Sequence, residues 1–204
     1  MNRKTFLSGR ADRGTGLTVK IHYANESQTC SDALHPRRWR KERLFMKTLS
    51  HLDEKGKARM VDVTGKESTV RTAVARGKVL MCPETVARIV ADGIAKGDVL
   101  GVARIAGIMA AKQTGALIPM CHPLELTGID LHFVPDSDRG EIVVEARVST
   151  VGRTGVEMEA MTAVSVAALT IYDMCKSADR WMVLSDIRLM TKQGGKSGTL
   201  TRTS

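Results

Sequence analysis

Thr154 to Lys176 reads TGVEMEAMTAVSVAALTIYDMCK: between its charged ends about thirteen residues are almost all small or apolar, broken by Thr162, Ser165, Thr170 and Tyr172, and no turn residue follows Gly155. Such a run predicts a helix of about 20 residues. Its large apolar positions (Val156, Met158, Met161, Val164, Leu169, Ile171 and Met174 among them) circle the axis instead of forming one stripe, so the helix must be covered on more than one side. Ala160, Ala163, Ala167 and Ala168 would let a neighbour approach closely.

The remaining pattern places elements on both sides of this helix. Leu52 to Gly65 reads as a lead-in loop, and the β-branched, alternating stretch Val70–Met81 as a strand. Pro83 opens a helix expected to run to about Ile94, with Gly97 ending it, and Asp98–Lys112 carries a second helical period. Gly115 and Pro119 lead into the extended loop Ile118-Pro-Met-Cys-His-Pro123. Two strands, 128–134 and 141–150, flank a turn at 135–140, and a last strand spans 182–192 before Gly194-Gly-Lys-Ser-Gly198 and a polar tail, 199–204. There are no internal repeats. The order strand, helix pair, two strands, helix, strand is that of an α+β, ferredoxin-like split β-α-β unit: an antiparallel sheet with helices on one face. The uncovered side of the long helix then calls for a second copy of the chain.

Composition narrows the function. The net charge of +9 is uneven, with 11 Lys/Arg against 4 Asp/Glu in residues 1–50 and 20 against 18 beyond. A nearly neutral body with 3% aromatic residues offers little to nucleic acid. The basic first 50 residues read as an organellar transit peptide or a disordered extension, and no stretch reads as a membrane span. Cys30, Cys82, Cys121 and Cys175 are scattered, with no CxxC pair and no His at zinc-ligand spacing, so free thiols and no metal site are expected.

Candidate chemistry sits at the ends of the long helix and in two loops. Asp173 and Lys176, three apart, form either a surface ion pair or, if buried, an acid/base pair. Glu157 and Glu159 suit the positive end of the helix dipole. His122 lies in a loop of the kind that lines sites. The Gly194–Gly198 turn lacks the Walker spacing; with Lys192 and Lys196 it is either a phosphate cradle or a floppy linker. Glu159 and Asp173 lie about 21 Å apart along an ideal helix, too far for one small substrate within one chain.

Seven segments together resemble the molybdenum cofactor biosynthesis protein C family, the cyclic pyranopterin monophosphate synthases. They are Met60-Val-Asp-Val63, Lys96-Gly-Asp98, Ala103-Arg-Ile-Ala-Gly107, Leu117–Pro123, Thr154–Thr162, Ala168–Lys176 and Gly194–Gly198, within residues 51–198. The resemblance implies conversion of 3′,8-cyclo-7,8-dihydro-GTP to cyclic pyranopterin monophosphate with loss of pyrophosphate, on a hexamer built from dimers with the site between subunits. By position it implies Asp173 and Lys176 as catalytic residues. Met120, Cys121, His122, Met158, Glu159, Glu157, Lys96, Lys112, Lys192 and, as a weaker match, Arg71 would bind the substrate. It implies no cofactor, and the residues do not say whether magnesium accompanies the phosphates. The compartment follows the leader: mitochondrial matrix if residues 1–50 are a transit peptide, cytoplasm otherwise.

Overall fold

A computed structural model describes residue 57 and residues 60–203, all within the compact unit Thr48–Ser204. The basic leader and Cys30 lie outside the described residues. From Met60 the chain is irregular until β1 (Thr69–Leu80), which is followed by α1 (Pro83–Val90), α2 (Val99–Lys112), the single-turn α3 (Thr114–Leu117), β2 (Leu126–Asp136), β3 (Glu141–Gly152), α4 (Glu157–Cys175), β4 (Val183–Gln193) and the two-residue β5 (Leu200–Thr201). The sheet order is β2-β3-β1-β4-β5 and every pairing is antiparallel. This is the ferredoxin-like α+β arrangement, with one short strand added at an edge.

Alternation along the strands decides which face carries the helices. Ala73, Ala75 and Val79 of β1 and Ile142, Val144, Ala146 and Val148 of β3 are buried, and α4 packs over them. The intervening residues form ion pairs on the opposite face, Arg76 with Glu145 at 2.5 Å and Lys78 with Glu141 at 2.9 Å. By length and composition alone α4 could cross a membrane, but here half of it is buried against the sheet and α2.

Small residues make this packing close. A Cβ on Gly77 would lie 2.8 Å from Val164 of α4. On Gly107 of α2 it would lie 3.0 Å from the Ala163 carbonyl oxygen and 2.5 Å from Leu131. The alanine stripe predicted for close approach is met at Ala163 and Ala167 by Gly107 of α2.

The boundaries differ from expectation where local chemistry acts early. α1 stops at Val90, not near Ile94, because Asp92 turns left-handed (φ 52°) and the Gly93 N–H donates back to the Arg88 carbonyl at 2.8 Å. α4 begins at Glu157 rather than Thr154, and no side chain caps it. Beyond the glycine-rich turn the polar tail returns as β5, pairing Thr191 with Thr201, and Arg202 N–H donates to the Met190 carbonyl at 2.8 Å.

Gly107→Val should lower unfolding free energy by about 1–3 kcal/mol through overpacking between α2 and α4. Urea denaturation measures this, and an unchanged midpoint would show that the helices separate freely.

Candidate active site

The entry to α4 is where three chain segments converge. The loop after α3 carries Met120, Cys121 and His122; the irregular segment before β1 carries Val61 and Val63; the first turn of α4 carries Glu157, Met158 and Glu159. Together they line a cavity of about 360 Å³. His122 Nε2 lies 2.8 Å from the Val61 carbonyl oxygen. A carbonyl can only accept, so Nε2 carries a proton and donates it to Val61, which leaves Nδ1 on the other side of the ring.

Two carboxylates two residues apart meet different environments. Glu157 is about one-quarter exposed and pairs through Oε1 with Lys192 Nζ at 2.5 Å. Glu159 is 3% exposed. Burial pushes its carboxyl upward, a backbone hydrogen bond works against this, and the nearby Glu157 charge adds to the rise. The Cys121 thiol is likewise raised, first by burial and then by Glu159. Glu159 is thus suited to hold a proton, and Glu157 to hold a cation.

A second cavity, of about 820 Å³, adjoins the first and shares Lys66, Thr154, Gly155 and Glu157 with it. Its charge is mostly positive, from Lys66, Arg71, Arg153, Lys192 and Lys196. Register explains two of these. Lys192 lies opposite Ala73, and Arg71 is two residues before Ala73, so both follow the helix-bearing face. The Arg71 guanidinium donates from Nε to the Gly152 carbonyl at 3.2 Å and from Nη2 to the Arg153 carbonyl at 3.4 Å. Lys66 and Arg153 did not emerge from sequence reasoning. Each stands beside a glycine (Gly65, Gly152) in a turn before a regular element, the one signal available.

The predicted catalytic pair lies at the other end of α4. Lys176 Nζ bonds Asp173 Oδ1 at 2.6 Å, and Lys96 Nζ bonds Asp173 Oδ2 at 3.2 Å and its carbonyl oxygen at 2.8 Å. All three side chains are around half exposed, so within one chain the pair is a surface cluster rather than the buried pair considered from the pattern. Lys176 and Lys96 hold the Asp173 carboxyl below its usual range, and Asp173 raises Lys176. Lys112 is exposed at the end of α2 and lines neither cavity. The structure therefore brings together Met120, Cys121, His122, Glu157, Met158, Glu159, Lys192 and Arg71, and leaves Asp173, Lys176 and Lys96 as a separate group. Cys82, Cys121 and Cys175 are free thiols, and among the described residues no three His, Cys, Asp or Glu side chains cluster as a metal requires.

Comparison with known proteins gives the family. The MoaC family pattern matches residues 60–195. A cyclic pyranopterin monophosphate synthase of Pelotomaculum thermopropionicum is 62% identical over 157 residues, covering 77% of this chain and 92% of that protein. Proteins of the same name from Heliobacterium modesticaldum and Dinoroseobacter shibae are 64% and 60% identical, covering 99% and 97% of their own lengths and 77% and 75% of this chain.

The raised Glu159 carboxyl has a definite sign. Between its ordinary and its raised value the folded chain binds more protons than the unfolded one, so stability falls as pH rises through that window. Relative to Glu159→Gln, the wild type should lose stability on going from acid to neutral pH, read as urea midpoints over a pH series. A constant difference would mean that the carboxylate is solvated.

Proposed function

The chain belongs to the MoaC family, and from this we infer that it is a lyase of molybdenum cofactor biosynthesis, converting 3′,8-cyclo-7,8-dihydro-GTP to cyclic pyranopterin monophosphate with release of pyrophosphate. The observation that carries the reading at the level of residues is the pairing of two unlike cavities across one shared wall, Lys66, Thr154, Gly155 and Glu157, the last ion-paired to Lys192 of the second cavity. The cationic cavity suits a triphosphate, since ammonium and guanidinium groups stabilise both the bound chain and the leaving pyrophosphate. The smaller one, with Met120, Met158, His122 and Glu159, suits the heterocycle. Opening one ring and closing another requires protons to be taken and returned, a role this reading gives to Glu159 and His122.

Asp173, Lys176 and Lys96 complete the site in this reading from a neighbouring copy, because α4 is too long to bring its own ends to one substrate. An outward apolar stripe on α2, Val102, Ile105 and Met109, with Leu169 of α4, supports burial against that copy. The resemblance extends the assembly to a trimer of dimers. Lys112, exposed and outside both cavities, is assigned to contact with substrate held by the neighbouring copy. The relatives named above are bacterial, which favours the cytoplasm over the mitochondrial matrix. Intact-mass analysis of the cellular protein tests whether the leader is removed.

Anaerobic incubation with the cyclic dihydro-GTP should release pyrophosphate, and a purified oligomer that releases none overturns the assignment. Lys176→Ala and Glu159→Gln should each reduce turnover by about a hundredfold or more, the usual worth of a positioned proton donor or acceptor. Mixing and reassembling the two variants should restore roughly a quarter of wild-type activity, since one of the two sites in a two-fold hybrid is then intact. Hybrids confirmed by native mass spectrometry but still inactive would place both groups in one chain's site.

A further inference from the structure

Arg71 faces the cationic cavity, yet its geometry is that of a tie. Its Nε and Nη2 bond the carbonyls of Gly152 and Arg153, which lead into α4. Its guanidinium also lies where a side chain on Gly195 would begin: a Cβ there would overlap Nη1 and Cζ. Gly195 is left-handed (φ 69°), and Gly194 before it (φ 97°) is pressed against the Val70 carbonyl, so this turn is folded onto the start of β1. One side chain thus touches both loops that bound the cavity, the 152–155 entry bearing Arg153 and the 194–198 turn bearing Lys196.

We propose that Arg71 is a positioning residue seated on Gly195, which holds the α4 entry and the glycine-rich turn in register so that their cations converge on one phosphate chain. This deepens the functional reading above and rests on it for the identity of the ligand. The guanidinium fork is what the role requires: it donates to two carbonyls in one plane while its remaining edge lies along the glycine, and an ammonium cannot do both. Gly195 needs to be glycine for its positive φ, and a Cβ there would also push the far end of the Arg71 side chain off its seat.

The test compares wild type, Arg71→Ala, Arg71→Lys, Gly195→Ala and the Arg71→Ala/Gly195→Ala double variant in the assembled enzyme. Arg71→Ala and Gly195→Ala should each raise KM about tenfold and weaken inhibition by inorganic pyrophosphate to match, the scale of losing hydrogen bonds to a charged group, with kcat changed by less than about threefold. The double variant should be no worse than the poorer single one, because both break one contact. Amide exchange should quicken in 152–155 and 193–198 and not in the second half of α4. Arg71→Lys should behave like Arg71→Ala. Multiplying defects in the double variant, rescue by lysine, or a raised KM with unchanged exchange would each overturn the proposal in favour of a simple charge contact. If Gly195→Ala does not fold, the lysine arm and the exchange of Arg71→Ala decide alone. A wild type that fails to turn over the cyclic nucleotide would defeat the functional reading, while the exchange measurements would still judge the tie.

Discussion

A nineteen-residue helix is a rigid spacer about 28 Å long. Its middle is clamped between α2 and the sheet at contacts that leave no room for a methyl group at Gly77 or Gly107. It cannot bend to join its ends. Everything charged on α4 is therefore sorted into two groups, the glutamates at its start and the aspartate near its close, and each meets a different set of neighbours. The separation of these candidate residues into two groups follows from this constraint before any particular chemistry is invoked.

Environment then gives four acidic side chains in one region of sequence three separate characters. Glu159, shut away from water, has its carboxyl pushed upward by burial. Glu157, next door, is committed to Lys192. Asp173, bridging two ammonium groups in the open, favours ionisation. Asp179, also buried, accepts from the backbone N–H of Cys82 at 2.8 Å and of Trp181 at 3.1 Å, so it is held ionised by the chain itself and serves to fasten the start of α1 to the loop after α4. Proximity in sequence says little about such roles; the neighbours decide.

The parts legible in the sequence were those written in strong local terms. α4 and the β2–β3 pair showed through apolar periodicity and a turn rich in Asp, Ser and Gly, and the order of elements was enough for the sheet topology. The close of α1 was missed because Asp92 and Gly93 end a helix as well as Gly97 would. β5 was missed because a strand of two residues is specified by its partner, Thr191–Lys192, and not by its own pattern. The three-residue spacing of Asp173 and Lys176 announced their bond, but Lys96 reaches the same carboxylate from 77 residues away, which only the fold reveals. For the same reason Lys66 and Arg153 could not be told from ordinary solvated cations until the segments bearing them met at the mouth of α4.

The return of the chain through Leu200 and Thr201 changes what the glycine-rich turn is. A run with three glycines and a serine among five residues, left dangling, would sample many conformations and lose that freedom whenever an anion arrived. Pinned at its far side by β5 and the Arg202–Met190 bond, it has already surrendered most of that entropy in folding. Under the proposed function, a phosphate chain then meets a preorganised hairpin, with the interaction energy going into affinity instead of ordering.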